Sequence, residues 1–212
     1  MENNIHMCTQ GSPEWFDVKR GKVSASKVTC ILRDKKGNYK AARADYMMQL
    51  LCERLTGNTE PTFPSADMKW GIDNEPFARS AYEAKMGLWV TEVGFIEHPA
   101  IKNFGMSPDG LTDDGGLIEI KCPKTKNHLL YLDGLIPKDY KIQMSTQMTC
   151  SKRKWCDFVS YDPRLPDELS LSIHRYNYDG ILVREIELEV PGFLAELDAL
   201  EMKWRERMAK EK

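Results

Sequence analysis

Residues 107–125, S-P-D-G-L-T-D-D-G-G-L-I-E-I-K-C-P-K-T, place two acids and a lysine at a spacing that can do chemistry. Asp109 falls in a turn after a short strand. Asp113-Asp114-Gly115-Gly116 reads as a hairpin turn and returns the chain to Glu119-Ile120-Lys121. That fold-back brings Asp109 near Glu119 and Lys121. Alternate residues of a strand share a face, so Leu117, Glu119 and Lys121 point one way while Ile118 and Ile120 point to a core. Two carboxylates and the Ile120 carbonyl form a hard oxygen set suited to Mg²⁺ or Mn²⁺. Such an ion lowers the pKa of a bound water and neutralises a phosphoryl oxygen. Lys121 beside that water can orient it, or accept its proton if its own pKa is depressed. The set suits phosphodiester hydrolysis. A plainer reading also fits, with Asp109 in a common Asp-Gly turn and Glu119 and Lys121 as a solvated ion pair on a strand. The apolar flanks Leu117, Ile118 and Ile120 weigh against it, because a charge rising from a buried strand without partner or metal is costly.

The elements that must hold these residues are legible from periodicity and caps. Ser12 reads as an N-cap with Pro13 at the first helical position. Ala41 to Leu55 is amphipathic through Tyr46, Met47, Leu50 and Leu51, and Gly57 closes it. Met68 to Met86 has Trp70, Phe77, Ala78, Ala81 and Tyr82 at helical spacing, with Gly87 as a stop. Short strands follow at Leu88 to Ile96, Gly105 to Ser107 and Leu117 to Lys121. Asp139 to Cys150 is helical, Asp157 to Tyr161 and Leu169 to Arg175 are strands, and Gly192 to Met208 is a charged amphipathic helix entered through a helical stretch before Pro191. Helices, an antiparallel-looking sheet, a helix, two strands and a helix make a mixed α/β domain with a central sheet. Pro61 to Pro64 is the richest breaker cluster, too short for a linker, so residues 1–212 read as one domain.

Composition removes several classes. With 42% hydrophobic and 29% charged residues, the chain is neither disordered nor collagen-like. No apolar run approaches the ~20 residues of a membrane span, and the first residues lack an export pattern. The expectation is a cytoplasmic protein. The six cysteines carry no C-x-x-C pair and read as free thiols. The four histidines show no ligand spacing. A net charge of −2 gives no global case for nucleic acid, so any such case must come from local sites.

Further stretches stand in order around the acidic set: Trp15 with Lys19-x-Gly21-x-Val23-Ser24-Ala25-Ser26, Trp70-Gly71-x-x-x-Glu75-x-x-Ala78-Arg79, Tyr140-x-x-Gln143 and Tyr161-Asp162-Pro163-Arg164. With Ser107-Pro108-Asp109-Gly110-Leu111 and Glu119-Ile120-Lys121-Cys122-Pro123 they span about residues 12 to 164. Together they resemble the phage lambda-type exonuclease, or YqaJ-type viral recombinase, branch of the PD-(D/E)xK nuclease superfamily. One departure is that Lys19, followed by Arg20, stands where the family often has arginine, and lysine lacks the bidentate fork.

The resemblance implies a restriction-endonuclease-like α/β core, a central mixed sheet flanked by helices. It implies that Asp109, Glu119, the Ile120 carbonyl and Glu75 hold two Mg²⁺ ions, with Mn²⁺ as a substitute, about 3.5–4 Å apart. Lys121 would act on the attacking water. Tyr140 and Gln143 would stand beside the site; Tyr140, Gln143, Met144 and Gln147 share one helix face, on which Gln147 fits polar surface best. Ser24 and Ser26 at a helix start, with Lys19, Arg20 and Lys22, would form a pocket for a terminal 5′-phosphate. Arg33, Lys35 and Lys36 fit backbone contacts and a solvated loop equally, and Tyr161 to Arg164 reads as structural. The implied activity is a 5′→3′ exonuclease on double-stranded DNA ends, in a phage or prophage setting. The implied assembly is a homotrimeric ring around DNA, with a single-strand annealing protein as partner and no membrane. Alternatives are an endonuclease of the same superfamily and a non-catalytic DNA-end-binding module. An iron–sulfur nuclease is disfavoured by the dispersed cysteines, and a glycosidase by Lys121 beside the second acid.

Overall fold

Strand formation here follows the buried apolar runs, and it yields two sheets where the sequence suggests one. The computed structural model describes residues 4–59 and 65–210; the Pro61–Pro64 cluster lies outside them. The first sheet has the order β1 (Ile5–His6), β4 (Phe95–Glu97), β5 (Phe104–Met106), β2 (Val23–Ser24). The second has the order β3 (Val90–Thr91), β6 (Gly110–Thr112), β7 (Leu117–Lys121), β8 (Trp155–Tyr161), β9 (Leu171–Asn177). Each is mixed, with one parallel pair: β2 with β5, and β7 with β8. The expected strand from Leu88 to Ile96 is two strands, β3 and β4, in different sheets. Gly94 allows the switch, since a Cβ there would collide with the backbone oxygen of Cys8.

The longer helices appear where caps and periodicity put them, while two short ones, at Thr125–Leu132 and Asp167–Ser170, fall where the sequence signals none. Helix α1 (Pro13–Lys19) starts at Ser12, whose hydroxyl accepts the Trp15 amide at 3.3 Å. Val28–Ile31 (α2) is a single turn entered through a tight turn at Ala25–Lys27. Helix α3 (Ala41–Thr56) ends on left-handed Gly57, and α4 (Ala66–Met86) on left-handed Gly87. Helix α4 begins two residues before the expected Met68 because the Ser65 hydroxyl caps the Met68 amide. After β7 come α5 (Thr125–Leu132) and α6 (Lys138–Ser151), then α7 (Asp167–Ser170) between β8 and β9. Helix α8 (Gly180–Lys210) runs unbroken through Pro191, which lies on its exposed side.

Two apolar clusters flank β7. The larger packs Leu117 and Phe158 with Leu50, Leu51, Met144, Met148 and Phe193 from α3, α6 and α8. The smaller packs Ile118, Ile120 and Val159 against Ala78 and Tyr82 of α4. Both faces of β7 are therefore core, and the strand is buried from Leu117 to Ile120. This corrects the one-sided picture in which Glu119 emerges from a buried strand; Glu119 is 0% exposed. All six cysteines are free thiols. Among the described residues, no helix is long and apolar enough to cross a membrane.

Candidate active site

Asp109 sits where the chain leaves one sheet for the other, between the end of β5 at Met106 and the start of β6 at Gly110. The β6–β7 hairpin then folds back as its turn residues require. The Thr112 hydroxyl accepts the Gly116 amide at 2.8 Å and donates to Asp114 at 2.6 Å, and Gly115 takes φ +94°. Gly110 pairs with Ile118, which brings the Asp109 carboxylate to the Ile120 amide: Oδ2 accepts that N–H at 2.6 Å. The predicted meeting of Asp109 with the Glu119–Lys121 strand is thus made by one hydrogen bond from the Ile120 amide to the Asp109 side chain.

Glu119 has both oxygens engaged. Lys121 Nζ donates to Oε1, and Gln147 Nε2 donates to Oε2 at 2.6 Å. Lys121 also lies 5.2 Å from the Tyr140 ring centroid. Tyr140 stacks in turn on Phe158, the residue beside Glu119 on β8. From α4, Arg79 reaches into the same region. It donates to Glu75 Oε1 at 2.7 Å and to the Asp109 carbonyl at 3.3 Å, and pairs with Glu92 at 2.8 Å. Glu75, Asp109, Ile120, Lys121 and Tyr140 all line one cleft of about 790 Å³, with Trp70, Cys122, Lys124 and Arg164 along its walls.

The electrostatics follow from three carboxylates sharing two cations. Burial raises the Asp109 carboxyl well above the usual range, and the Glu119 charge adds to it, with Lys121 opposing. Burial also raises Glu75, against the pull of Arg79 and Lys121. Burial works to lower the Lys121 ammonium, but Glu119 and Asp109 outweigh it and hold it above an ordinary lysine. The depressed lysine pKa that proton acceptance would need is absent while Glu119 and Asp109 stand beside Lys121, and Lys121 donates to Glu119. Among the described residues, no three His, Cys, Asp or Glu side chains are grouped so that they could hold a metal ion by themselves. The donor set nevertheless fits a hard divalent cation. It offers two carboxylates and a backbone carbonyl, and burial, which disfavours the charged forms of Asp109 and Glu75, is a cost that such an ion would offset.

Helix α6 divides its predicted face. Tyr140 lines the cleft. Gln143 is half-buried, and its side chain makes no hydrogen bond among the described residues. Gln147, expected as polar surface, is instead 0% exposed and bonded to Glu119. Its i+7 spacing from Tyr140 was the available signal, but burial of that face could not be read from a helix with so little apolar contrast.

The segment from Lys19 to Ser26 is tied to the same loop. The Trp15 indole N–H lies 2.9 Å from Ser107 Oγ and 3.0 Å from the Gly94 carbonyl, and Lys19 Nζ stands 3.5 Å from the Trp15 ring centroid. Burial lowers the Lys19 ammonium to about 8, with Glu53 opposing. Arg20 pairs with Asp17, and Lys22 with Glu97 at 2.6 Å. Ser24 and Ser26 hydroxyls lie 3.4 Å apart. Ser26 begins no full helix; the turn there leads only into four-residue α2, so little helix dipole backs it. Asp162, read as structural, is fully buried. Burial works to raise it, but hydrogen bonds from Arg164 and Thr125 outweigh that and hold it at about 2. The same pairing stands Arg164 over Trp70 at 4.6 Å, at the cleft wall.

A family model, the YqaJ-like viral recombinase domain, matches residues 14–154. The chain belongs to that family. The matched residues include every side chain of the acidic cluster, Gln147 and the Lys19–Ser26 segment. Solved structures agree. This family member is 46% identical to an alkaline exonuclease, LHK-Exo, from Laribacter hongkongensis, over 95% of this chain and 100% of that one, with a TM-score of 0.88. The structure of LHK-Exo in complex with dAMP gives 0.87 at the same identity and coverage. A phage related exonuclease from Haemophilus somnus 129PT is 16% identical over 86% of this chain and 96% of that one, with a TM-score of 0.70, a likeness of fold. No curated protein matches significantly.

Proposed function

We propose that this protein is a Mg²⁺-dependent 5′→3′ exonuclease acting on double-stranded DNA ends, which shortens one strand and leaves a 3′ single-stranded overhang for annealing recombination. The observation that carries the reading is the cleft that holds Asp109, Ile120, Lys121 and Glu75 together, with Glu119 against Lys121. The 46% identity to an alkaline exonuclease over nearly the whole chain supports the class of reaction. Mg²⁺ held by Asp109, Glu119, the Ile120 carbonyl and Glu75, as two ions or with Mn²⁺ in their place, would supply the acidity that makes water a nucleophile at neutral pH. Lys121, charged in this environment, orients that water and stabilises charge developing on the scissile phosphate. Tyr140 backs Lys121, and Gln143 stands one turn farther along α6, on the same face.

Polarity would come from the Lys19–Ser26 segment. A terminal phosphate carries more charge than a diester, so a cation with hydroxyl donors selects it. Lys19 fits this better than Arg20, which is committed to Asp17. Ser24 and Ser26 would supply the hydroxyls. A homotrimeric ring would let a chain of net charge −2 hold DNA by turning its cations to one channel, and the annealing protein would take the overhang. The test is digestion of linear and closed circular duplex with and without Mg²⁺. Mg²⁺-dependent release of nucleotides from linear DNA alone is expected. Nicking of closed circles would reject the exonuclease reading, and metal-independent DNA binding without release would reject catalysis.

A further inference from the structure

Glu119 is fully buried, and Gln147 is the only neutral side chain hydrogen-bonded to its carboxylate among the described residues. Gln147 has one satisfying orientation. A carboxylate only accepts, so Nε2 must face Glu119 Oε2; the Cys156 thiol, 3.8 Å from Oε1, is a weak donor to the other end. The amide is therefore locked from both sides in a fully buried pocket. Lys121 holds the opposite oxygen, Oε1.

We propose that Gln147 is a positioning residue for Glu119: it commits Oε2 to an amide hydrogen bond, so that Oε1, held here by Lys121, is the one oxygen left to meet a divalent cation beside Asp109. This rests on the metal-dependent reading above. Neither Gln147 nor the buried Glu119 lines the cleft, whereas Lys121, which holds the other Glu119 oxygen, does; the influence of Gln147 therefore passes through Glu119. A glutamate has three rotatable bonds, and an unpinned carboxylate would turn between one-oxygen and two-oxygen binding. Fixing Oε2 removes that freedom before the cation arrives and makes Glu119 a one-oxygen ligand. Partners that orient a metal ligand from behind typically carry ten- to hundredfold in metal affinity.

The test is calorimetric titration of Mg²⁺ and of Mn²⁺, without DNA, into the wild-type protein, Gln147→Met and Gln147→Asn. Methionine keeps the length and loses the donor; asparagine keeps the amide and falls one methylene short. Both variants should bind the ions ten- to hundredfold more weakly, and their turnover on linear duplex should climb back toward the wild-type rate as Mg²⁺ is raised. Affinity within twofold of wild type would overturn the inference. If wild type itself takes up no ion, the metal-dependent reading fails first. If neither variant folds, the wild-type side-chain amide signals decide. Of Gln10, Gln49, Gln143 and Gln147, the Gln147 NH₂ pair should exchange slowly and shift on Mg²⁺ titration. A Gln147 pair indifferent to Mg²⁺ would overturn the inference as well.

Discussion

Asp109→Asn should make the metal-free protein more stable while removing its response to Mg²⁺. Three carboxylates, Glu75, Asp109 and Glu119, have among them two cations, Arg79 and Lys121, as ion-pair partners. Arg79 is shared with Glu92 as well. Glu75 and Glu119 take the cations as direct partners, and Asp109 is left with the Ile120 N–H. Burial and the Glu119 charge hold its carboxyl well above the unfolded value. For an acid, that sign means ionisation opposes folding once pH exceeds the unfolded pKa, and the penalty grows until pH reaches the folded value. Asparagine keeps an oxygen for the Ile120 N–H and removes the charge. Relief of a strained functional site commonly yields about 0.5–2 kcal/mol; at about 2–4 °C per kcal/mol for a chain of this size, Tm should rise by roughly 1–8 °C in EDTA. Wild type should gain about 2.7 kcal/mol at a Mg²⁺ concentration of 100 times Kd, and the variant little or none. The two melting curves therefore exchange order between EDTA and saturating Mg²⁺ at pH 7.5. A variant that melts below wild type in EDTA, or that keeps the full Mg²⁺ shift, would refute this account of the charge balance.

Lys121→Ala should abolish cleavage while Ca²⁺-supported DNA binding survives. It should also cost about 1–3 kcal/mol in urea melts, because buried Glu119 loses its cation; near-normal turnover rejects the role. Lys19 loses its charge near pH 8, so the preference for 5′-phosphorylated over 5′-hydroxyl duplex should fall as pH rises through that value. Lys19→Ala should cut the preference about ten- to hundredfold at pH 7, the worth of a charge-assisted contact of about 1.5–3 kcal/mol. A preference flat from pH 7 to 9.5 in wild type removes Lys19 from the phosphate site. Gly116→Ala should destabilise by about 1–3 kcal/mol: its Cβ would overlap the Trp155 ring, which is itself held under the Arg175 guanidinium at 3.5 Å. An unchanged Tm would show that the ring gives way. Sedimentation equilibrium should give a trimer of the 24.4 kDa chain, and a monomer at micromolar concentration would reject the ring.

Local chemistry in the sequence determined the hairpin, the caps and the acidic set. Ser12 and Ser65 cap helices through their own hydroxyls, Gly57 and Gly87 end them in left-handed geometry, and the Asp113–Gly116 turn carries Asp109 back to Glu119. These interactions span few residues, so residue type and spacing specify them. Helix α5 carries no helical signal in the sequence because its apolar pattern is inverted: His128 and Tyr131 are buried while Leu129 and Leu130 are exposed. His128 can go inside because Ser160 and the Leu169 carbonyl satisfy both ring nitrogens, and those partners lie on β8 and beyond. The same limit governs the site. Which strands share a sheet, that β7 is buried on both faces, and that Gln147 meets Glu119 all depend on α4 and α6 closing over β7 from opposite sides. The raised Asp109 carboxyl and the charged Lys121 are likewise products of that closure, because burial and the distances between charges exist only once distant segments have packed.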